Sequence, residues 1–381
     1  MIYNVLALLP RGGHRNGMGS VWSLRLELSD STTLRERPLA LALWLLAVAA
    51  LVVAIVAVGG ITRLTESGVS IAEWNPVSGA LPPLGAAAWQ AEFDKYRQTP
   101  QFILVNGPAG MTLATYKTIF FWEWAHRLLG RAIGTVLVLV IAWFGLRREI
   151  PRGYLPRLLA LAALVALQGA IGWWMVQSGI VHDVKVSHFR LAAHLLTALV
   201  TLAGLVWTAL DLRAQARGKP PRRLTAFAVL ALAALFVQLG LGALVAGLRA
   251  GHVANDWPTM QGRFFPDGVD WSQGPLHALL DDPYLTHFVH RWWAWAVVAV
   301  LVVMGRKLRR AGARRVSIAV HSAFGVQVLL GIATVMSGIA LWVAVLHQLV
   351  GALLVAATVW GAHALGDMPG HASGHASGRR R

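Results

Sequence analysis

The sequence predicts an all-α integral membrane protein, with eight transmembrane helices forming two pseudo-symmetric four-helix bundles. Three observations predict it. Of 381 residues, 56% are hydrophobic and 13% charged, where soluble domains carry about 25% charged residues. Eight apolar runs each approach the roughly 20 residues a helix needs to cross a bilayer. Motifs of the first half also return, in order, in the second.

Taken in order, the apolar runs predict spans at 39–61, 119–145, 158–177, 190–210, 224–247, 286–305, 316–338 and 341–363. Basic residues gather in "RREIPRGYLPR", "DLRAQARGKPPRR" and "RKLRRAGARR", which follow spans two, four and six. Short loops rich in Lys and Arg stay in the cytoplasm. Both termini therefore belong there, with 62–118 and 248–285 outside. The formal charge of +17 is thus a topology signal that also attracts anionic lipid, and it does not indicate nucleic acid. Residues 1–38 read as a cytoplasmic tail without the core of a signal peptide, with Met18 as an alternative start. Residues 366–381, ending "GHASGHASGRRR", read as a flexible tail. There is no cysteine, which excludes disulfides, thiolate ligation, CxxCH haem attachment and iron–sulfur clusters.

The repeat shows in the numbering. Gly68, Trp74, Gly79 and Pro83 recur at one constant offset as Gly251, Trp257, Gly262 and Pro266. His126-Arg127 recurs at a smaller offset as His290-Arg291. Gln168, Gly172, Val176 and the "SGI" at Ser178 recur as Gln327, Gly331, Val335 and the "SGI" at Ser337, at an offset slightly smaller again. The falling offset means that connections in the first half are longer. The first bundle, 39–215, therefore corresponds to the second, 216–365. Each unit has an even number of spans, so the copies share one orientation and are related by an axis along the membrane normal.

Ionisable groups at membrane depth are costly and usually functional. His126, His194, His290 and His347 each fall four to seven residues after the start of an even-numbered span. At 1.5 Å per residue that is one layer, roughly 6–10 Å below the outer boundary. His321 lies apart, near the inner end of span seven. One such histidine is explained by an interhelical hydrogen bond. Four in a layer suit two bis-imidazole haem sites in bundle cores, His126 with His194 and His290 with His347. Gly130, Gly134, Ala192, Ala193, Gly351 and Ala352 would leave room for a flat macrocycle. Arg127 and Arg291 could pair with haem propionates or snorkel to the interface.

Glu123 lies three residues before His126, on the same helical face, but its counterpart is His287. That asymmetry suggests chemistry at the first site and electron supply at the second; pairing of Glu123 with Arg127 or Arg131 is the alternative. Zinc fits poorly, since there is no HExxH and no carboxylate cluster, and a di-iron bundle needs paired ExxH motifs. A di-haem cytochrome b that transfers electrons shares the histidine layer but gives Glu123 no task. A transporter would need matched broken helices.

The stretches "GGITRLTESGVSIAEWNPVSGALPPL" at 59–84, "EWAHRLLGR" at 123–131, "HFRLAAHLLTAL" at 188–199, "HFVHRWWAW" at 287–295 and "LHQLVGALL" at 346–354 resemble the haem A synthases of proteobacteria and mitochondria over 39–363. The resemblance implies oxidation of the C8 methyl group of haem O, through two hydroxylations and loss of water, to the formyl group of haem A. It implies that His126 and His194 frame the substrate, that Glu123 is the catalytic carboxylate, and that His290 and His347 hold a permanent haem b. It further implies a bacterial inner-membrane location. Haem O synthase (the protohaem farnesyltransferase) and cytochrome oxidase assembly are the implied candidate partners, and a homo-oligomer is left open. The outer loops are expected to cover the sites, with "TRLTESGVSIAEWNP" either lying along the interface or forming an ordered loop.

Overall fold

The computed structural model describes residues 36–75, 78–181 and 184–366. The readings of 1–35 and 367–381 as tails, and of Met18 as a start, lie outside these residues. Among the described residues there is no strand, and eight helices are long and apolar enough to cross a membrane. The protein is an all-α multi-pass membrane protein.

The helices are α1 (Pro38–Leu64), α2 (Ala86–Tyr96), α3 (Leu113–Leu146), α4 (Leu155–Val181), α5 (His188–Gln215), α6 (Ala226–Leu248), α7 (Pro275–Asp281), α8 (Pro283–Arg310), α9 (Arg314–Met336) and α10 (Leu341–Ala364). Their starts follow local chemistry. Pro38 and Pro283 occupy first-turn positions where a missing N–H costs nothing. Thr112, Thr225 and Asp282 cap α3, α6 and α8 by accepting backbone N–H bonds three residues on.

The first bundle closes as a ring: α1 packs on α3, α3 on α4, α4 on α5 and α5 on α1. The second repeats it with α6, α8, α9 and α10. Between the bundles α1 meets α10, α6 meets α5, and α5 meets α10. These pairings are consistent with a duplicated unit. Half of the apolar stretch of α5 is buried against 6% of that of α4, so α5 is central and α4 faces lipid. Exposed Leu43, Trp44, Leu139, Trp143, Leu159 and Leu167 form the lipid-facing coat.

Each bundle has one end with short basic connections and one with long loops. At the short-loop end, fully buried Asp211 accepts from Arg157 Nη1 at 2.6 Å and from the Arg222 backbone N–H at 2.9 Å, and pairs with His363 Nε2 at 3.0 Å. This joins α4, α5 and α10. At the long-loop end, Arg63 donates to the Ala246 and Gly247 carbonyls and Glu66 pairs with Arg249.

The start of α3 departs furthest from expectation. Helix α3 has 34 residues, about 51 Å, against a hydrocarbon core of about 30 Å. Its early turns carry Tyr116 and Phe120 into an aromatic cluster with Phe93 and Tyr96 of α2. The Tyr96 and Tyr116 rings stack at 5.0 Å. His126 is consequently the fourteenth residue of α3, while His194, His290 and His347 are seventh or eighth in their helices. Neither α2 nor α7 has a sequence signal, because both are short and lack an apolar run.

Reporter fusions in the 147–154, 216–225 and 311–313 connections are expected to read cytoplasmic, and those in 65–85 and 253–274 external. An external signal from the 311–313 loop would overturn the eight-span topology.

Candidate functional site

Each of the four histidines rests on a glycine of the preceding spanning helix. A Cβ added at Gly59, Gly172, Gly242 or Gly331 would meet Cε1 of His126, His194, His290 or His347 at 3.2, 2.9, 2.9 and 3.1 Å. Only glycine lets backbone and imidazole approach so closely. The four glycines lie in the last three turns of α1, α4, α6 and α9, so the ring layer sits towards the long-loop end. His321 lies elsewhere, with Nδ1 2.8 Å from the Ser317 carbonyl.

His126 and His194 face each other with ring centroids 6.3 Å apart. Both line a cavity of about 400 Å³ in the first bundle, with apolar walls that include Ile55, Val56, Val165 and Leu195. Glu123, Arg127, Lys185 and Arg249 add charge to its lining. His347 is an electrostatic neighbour of His290 in the second bundle. Of the small residues singled out in the sequence, Gly130 lines the cavity. Gly134 packs on Val165, Gly351 on Gln327, and Ala192 on Ala243, so these three serve helix packing. Two of the four cradle glycines, Gly59 and Gly172, line the cavity as well.

Glu123 is buried, and both its oxygens are engaged. Oε1 accepts from Arg127 Nη2 at 2.6 Å; Oε2 accepts from Ser70 Oγ at 2.7 Å and the Ile71 N–H at 2.8 Å. The pairing with Arg127 weighed in the sequence is present, and the carboxylate also borders the cavity one turn from His126. Arg127 donates further to the Ile71 and Glu73 carbonyls. Trp124 and Arg131 donate to Ala80 O and Asn75 O. One face of α3 thus holds the loop after α1 over the cavity, where Gly68, Val69 and Trp74 join the lining. Of the two readings of "TRLTESGVSIAEWNP", the ordered loop matches this arrangement.

The second bundle repeats the clamp. Arg291 donates to the Ala254 and Asp256 carbonyls, the repeat counterparts of those of Ile71 and Glu73. In place of a carboxylate it finds His287, its Nε donating to His287 Nε2 at 3.0 Å. Hydrogen bonds from the Gly262 N–H and the Thr259 hydroxyl hold the Asp256 carboxyl well below the usual range and stiffen that loop. In the first loop the Lys95 ammonium likewise lowers Glu73. Both arginines, for which the sequence left propionate pairing and snorkelling open, donate to loop carbonyls, Arg127 to two and Arg291 to three.

Among the described residues no three His, Asp or Glu side chains converge as a metal cluster would require. The arrangement suits something flat: an apolar slot with an imidazole on either side. Gly242→Val is expected to expel the His290 ring from its cradle and remove whatever that ring binds. Retention of the bound group by the purified variant, measured by its absorption, would show that the cradle is dispensable.

A family model described as cytochrome oxidase assembly protein matches residues 42–359. The chain is 68% identical to the heme A synthase of Novosphingobium aromaticivorans over 345 residues, 89% of this chain and 98% of that one. It is 58% identical to the heme A synthase of Sphingopyxis alaskensis, covering 88% and 95% of the two chains. It is 60% identical to that of Erythrobacter litoralis, covering 86% and 98%.

Proposed function

Since the chain belongs to the cytochrome oxidase assembly protein family, we propose that it oxidises the C8 methyl group of haem O to a formyl group, giving haem A for terminal oxidases. The observation that carries this reading is the pair His126 and His194 across an apolar cavity that also holds Glu123. Two metal–nitrogen bonds of about 2 Å, plus about 1.1 Å from each nitrogen to its ring centre, place bis-imidazole centroids roughly 6 Å apart. The observed 6.3 Å is close to that spacing.

The substrate is taken by residues 39–215, with His126 and His194 as axial partners. Arg127 borders the cavity while it clamps the loop, so its charge serves the propionates as well. The clamped loop keeps water from the methyl group. Glu123 accepts or returns the proton that must move as each C–H bond is replaced. Each hydroxylation takes two electrons from the carbon and inserts one oxygen atom, so an oxidant and an oxygen source from outside the chain are required. Two hydroxylations of one carbon give a geminal diol, and loss of water leaves the formyl group.

Residues 216–365 hold haem b between His290 and His347, with Arg291 near its propionates. The glycine cradles and the buried, unpartnered His347 Nδ1 fit such a group. When bound, haem b supplies one-electron transfer, and His287 in place of Glu123 leaves that site without an acid for carbon chemistry. The protein lies in the bacterial inner membrane with both termini cytoplasmic and the histidine layer towards the outer face. Haem O synthase is its supplier and oxidase assembly its destination.

Extraction and chromatography of haems from cells with and without the gene tests the reading. Haem A should appear only with the gene. Bound haem b without any haem A would leave an electron-transfer protein in its place.

A further inference from the structure

The cradle glycines come with a second feature. Four residues before Gly172, Gly242 and Gly331, one helical turn away, stand Gln168, Gln238 and Gln327; four before Gly59 stands Ile55. We propose that the three glutamines are positioning residues that fix His194, His290 and His347 as permanent ligands, and that Ile55 leaves His126 as the one ligand able to release the substrate iron. The proposal rests on the haem reading above and deepens it.

Gln168 Nε2 donates to the His194 carbonyl at 2.9 Å and lies over the ring, 3.1 Å from its Nδ1 and 3.2 Å from its Nε2. Gln238 Nε2 donates to the His290 carbonyl at 3.1 Å and lies 3.2 Å from its Nδ1. A carbonyl only accepts, so in both cases the amide nitrogen must point at the histidine. That leaves the amide oxygen over, and Oε1 of Gln168, Gln238 and Gln327 are all buried without a partner. A buried acceptor lacking its donor calls for an explanation. An imidazole whose Nε2 binds iron carries its proton on Nδ1. Ligating histidines usually donate that N–H to a nearby oxygen, which fixes ring orientation and ligand strength. With iron on Nε2, a turn of the amide would exchange its bond to the histidine carbonyl for one that accepts the Nδ1–H. At His347 the two orphans are of opposite kind: Gln327 Oε1 lacks a donor and the ring's Nδ1 has no partner, while Gln327 Nε2 lies 3.4 Å from the ring's Nε2.

His126 has none of this. Among the described residues no hydrogen bond reaches its ring. Ile55 offers only methyl groups and lines the cavity. The first site therefore has one held ligand and one unheld, and the unheld one lies a turn from Glu123. The second site has both ligands held, as a permanent cofactor requires. The open face of the substrate is the His126 face.

The test uses the purified, dithionite-reduced holoprotein and carbon monoxide, which binds only iron with a free axial position. Wild type should bind carbon monoxide at haem O and not at haem b. Ile55→Gln, which supplies the missing amide, should keep its haem O but lose about tenfold in carbon monoxide binding. Gln238→Met and Gln327→Met should make haem b reactive to carbon monoxide, shift its midpoint potential, and weaken its retention roughly 10–100-fold. Unchanged carbon monoxide binding in Ile55→Gln at full haem content overturns the proposal. So does an unreactive haem b of unaltered potential in both methionine variants, which alone decide should Ile55→Gln not fold. Wild-type protein that carries haem b but yields no haem A would instead defeat the synthase reading, and leaves the haem b arm of this test intact.

Discussion

Glu123→Ala is expected to stop haem A formation, with haem O accumulating and the haem b spectrum unchanged. The carboxylate stands one turn from His126 at the cavity, and the repeat places His287 where a second would be. Losing a positioned acid or base costs roughly 10²–10⁴-fold in rate, which in cells reads as absence of product. Among the described residues, the hydrogen bonds of Glu123 stay within the first bundle and its loop, so haem b should stay. The structure adds a complication that a second variant resolves. Glu123 also receives Arg127, Ser70 Oγ and the Ile71 N–H, so alanine could free the loop that roofs the cavity. Glu123→Gln keeps the shape and one acceptor oxygen for the loop while removing the charge. If proton movement is the role, it fails like alanine; if clamping the loop is the role, it recovers most of the activity. Wild-type haem A in both variants, at matched expression, would leave Glu123 without a catalytic task.

The contrast between Glu123 and its loop shows what the sequence could and could not reveal. The eight spans, the repeat and the four histidines were legible because hydropathy and fixed offsets are properties of the linear chain. So was the absence of a carboxylate in the second copy. The bonds that hold Glu123 come from Ser70 and Ile71, far earlier in the chain, in a loop with no periodic signal. For Arg127 and Arg291 propionate pairing and snorkelling stayed open, because a sequence does not show which backbone carbonyls will come within reach. The two helices outside the spanning set owe their positions to packing: Tyr96 stacks on Tyr116, and burial pushes its phenol up to about 12. Tyr96 donates to Gln101, which in turn holds the Glu66 carbonyl. The glutamine before each cradle glycine was legible in part. Gln168 and Gln327 stood out as repeat partners, but Gln238 belongs to a shorter two-helix period that appears only once each histidine is seen resting on its own glycine.

Replacing His290 or His347 by Ala should remove most of the haem b and, with it, haem A formation. Each ring fills a cradle shaped around it, at 2.9 Å from the Gly242 position and 3.1 Å from that of Gly331. Alanine leaves an apolar gap and a glutamine amide with no ring to hold. A haem held by one imidazole instead of two loses half of its iron–protein bonds, and the remaining slot offers only dispersion contacts. The two variants should behave alike, since both rings have an amide partner. His126→Ala should behave differently. It removes the one ring with no such partner from the other bundle, so haem b stays at wild-type level while haem O is no longer processed. The measurement is the haem content and the low-spin visible spectrum of each purified variant, followed by haem chromatography of the cells. Full haem b with unaltered spectra in both His290→Ala and His347→Ala would move the cofactor site elsewhere. Loss of haem b in His126→Ala as well would mean that the bundles do not load independently, and that the two halves share one binding step through the α1–α10 and α5–α6 contacts.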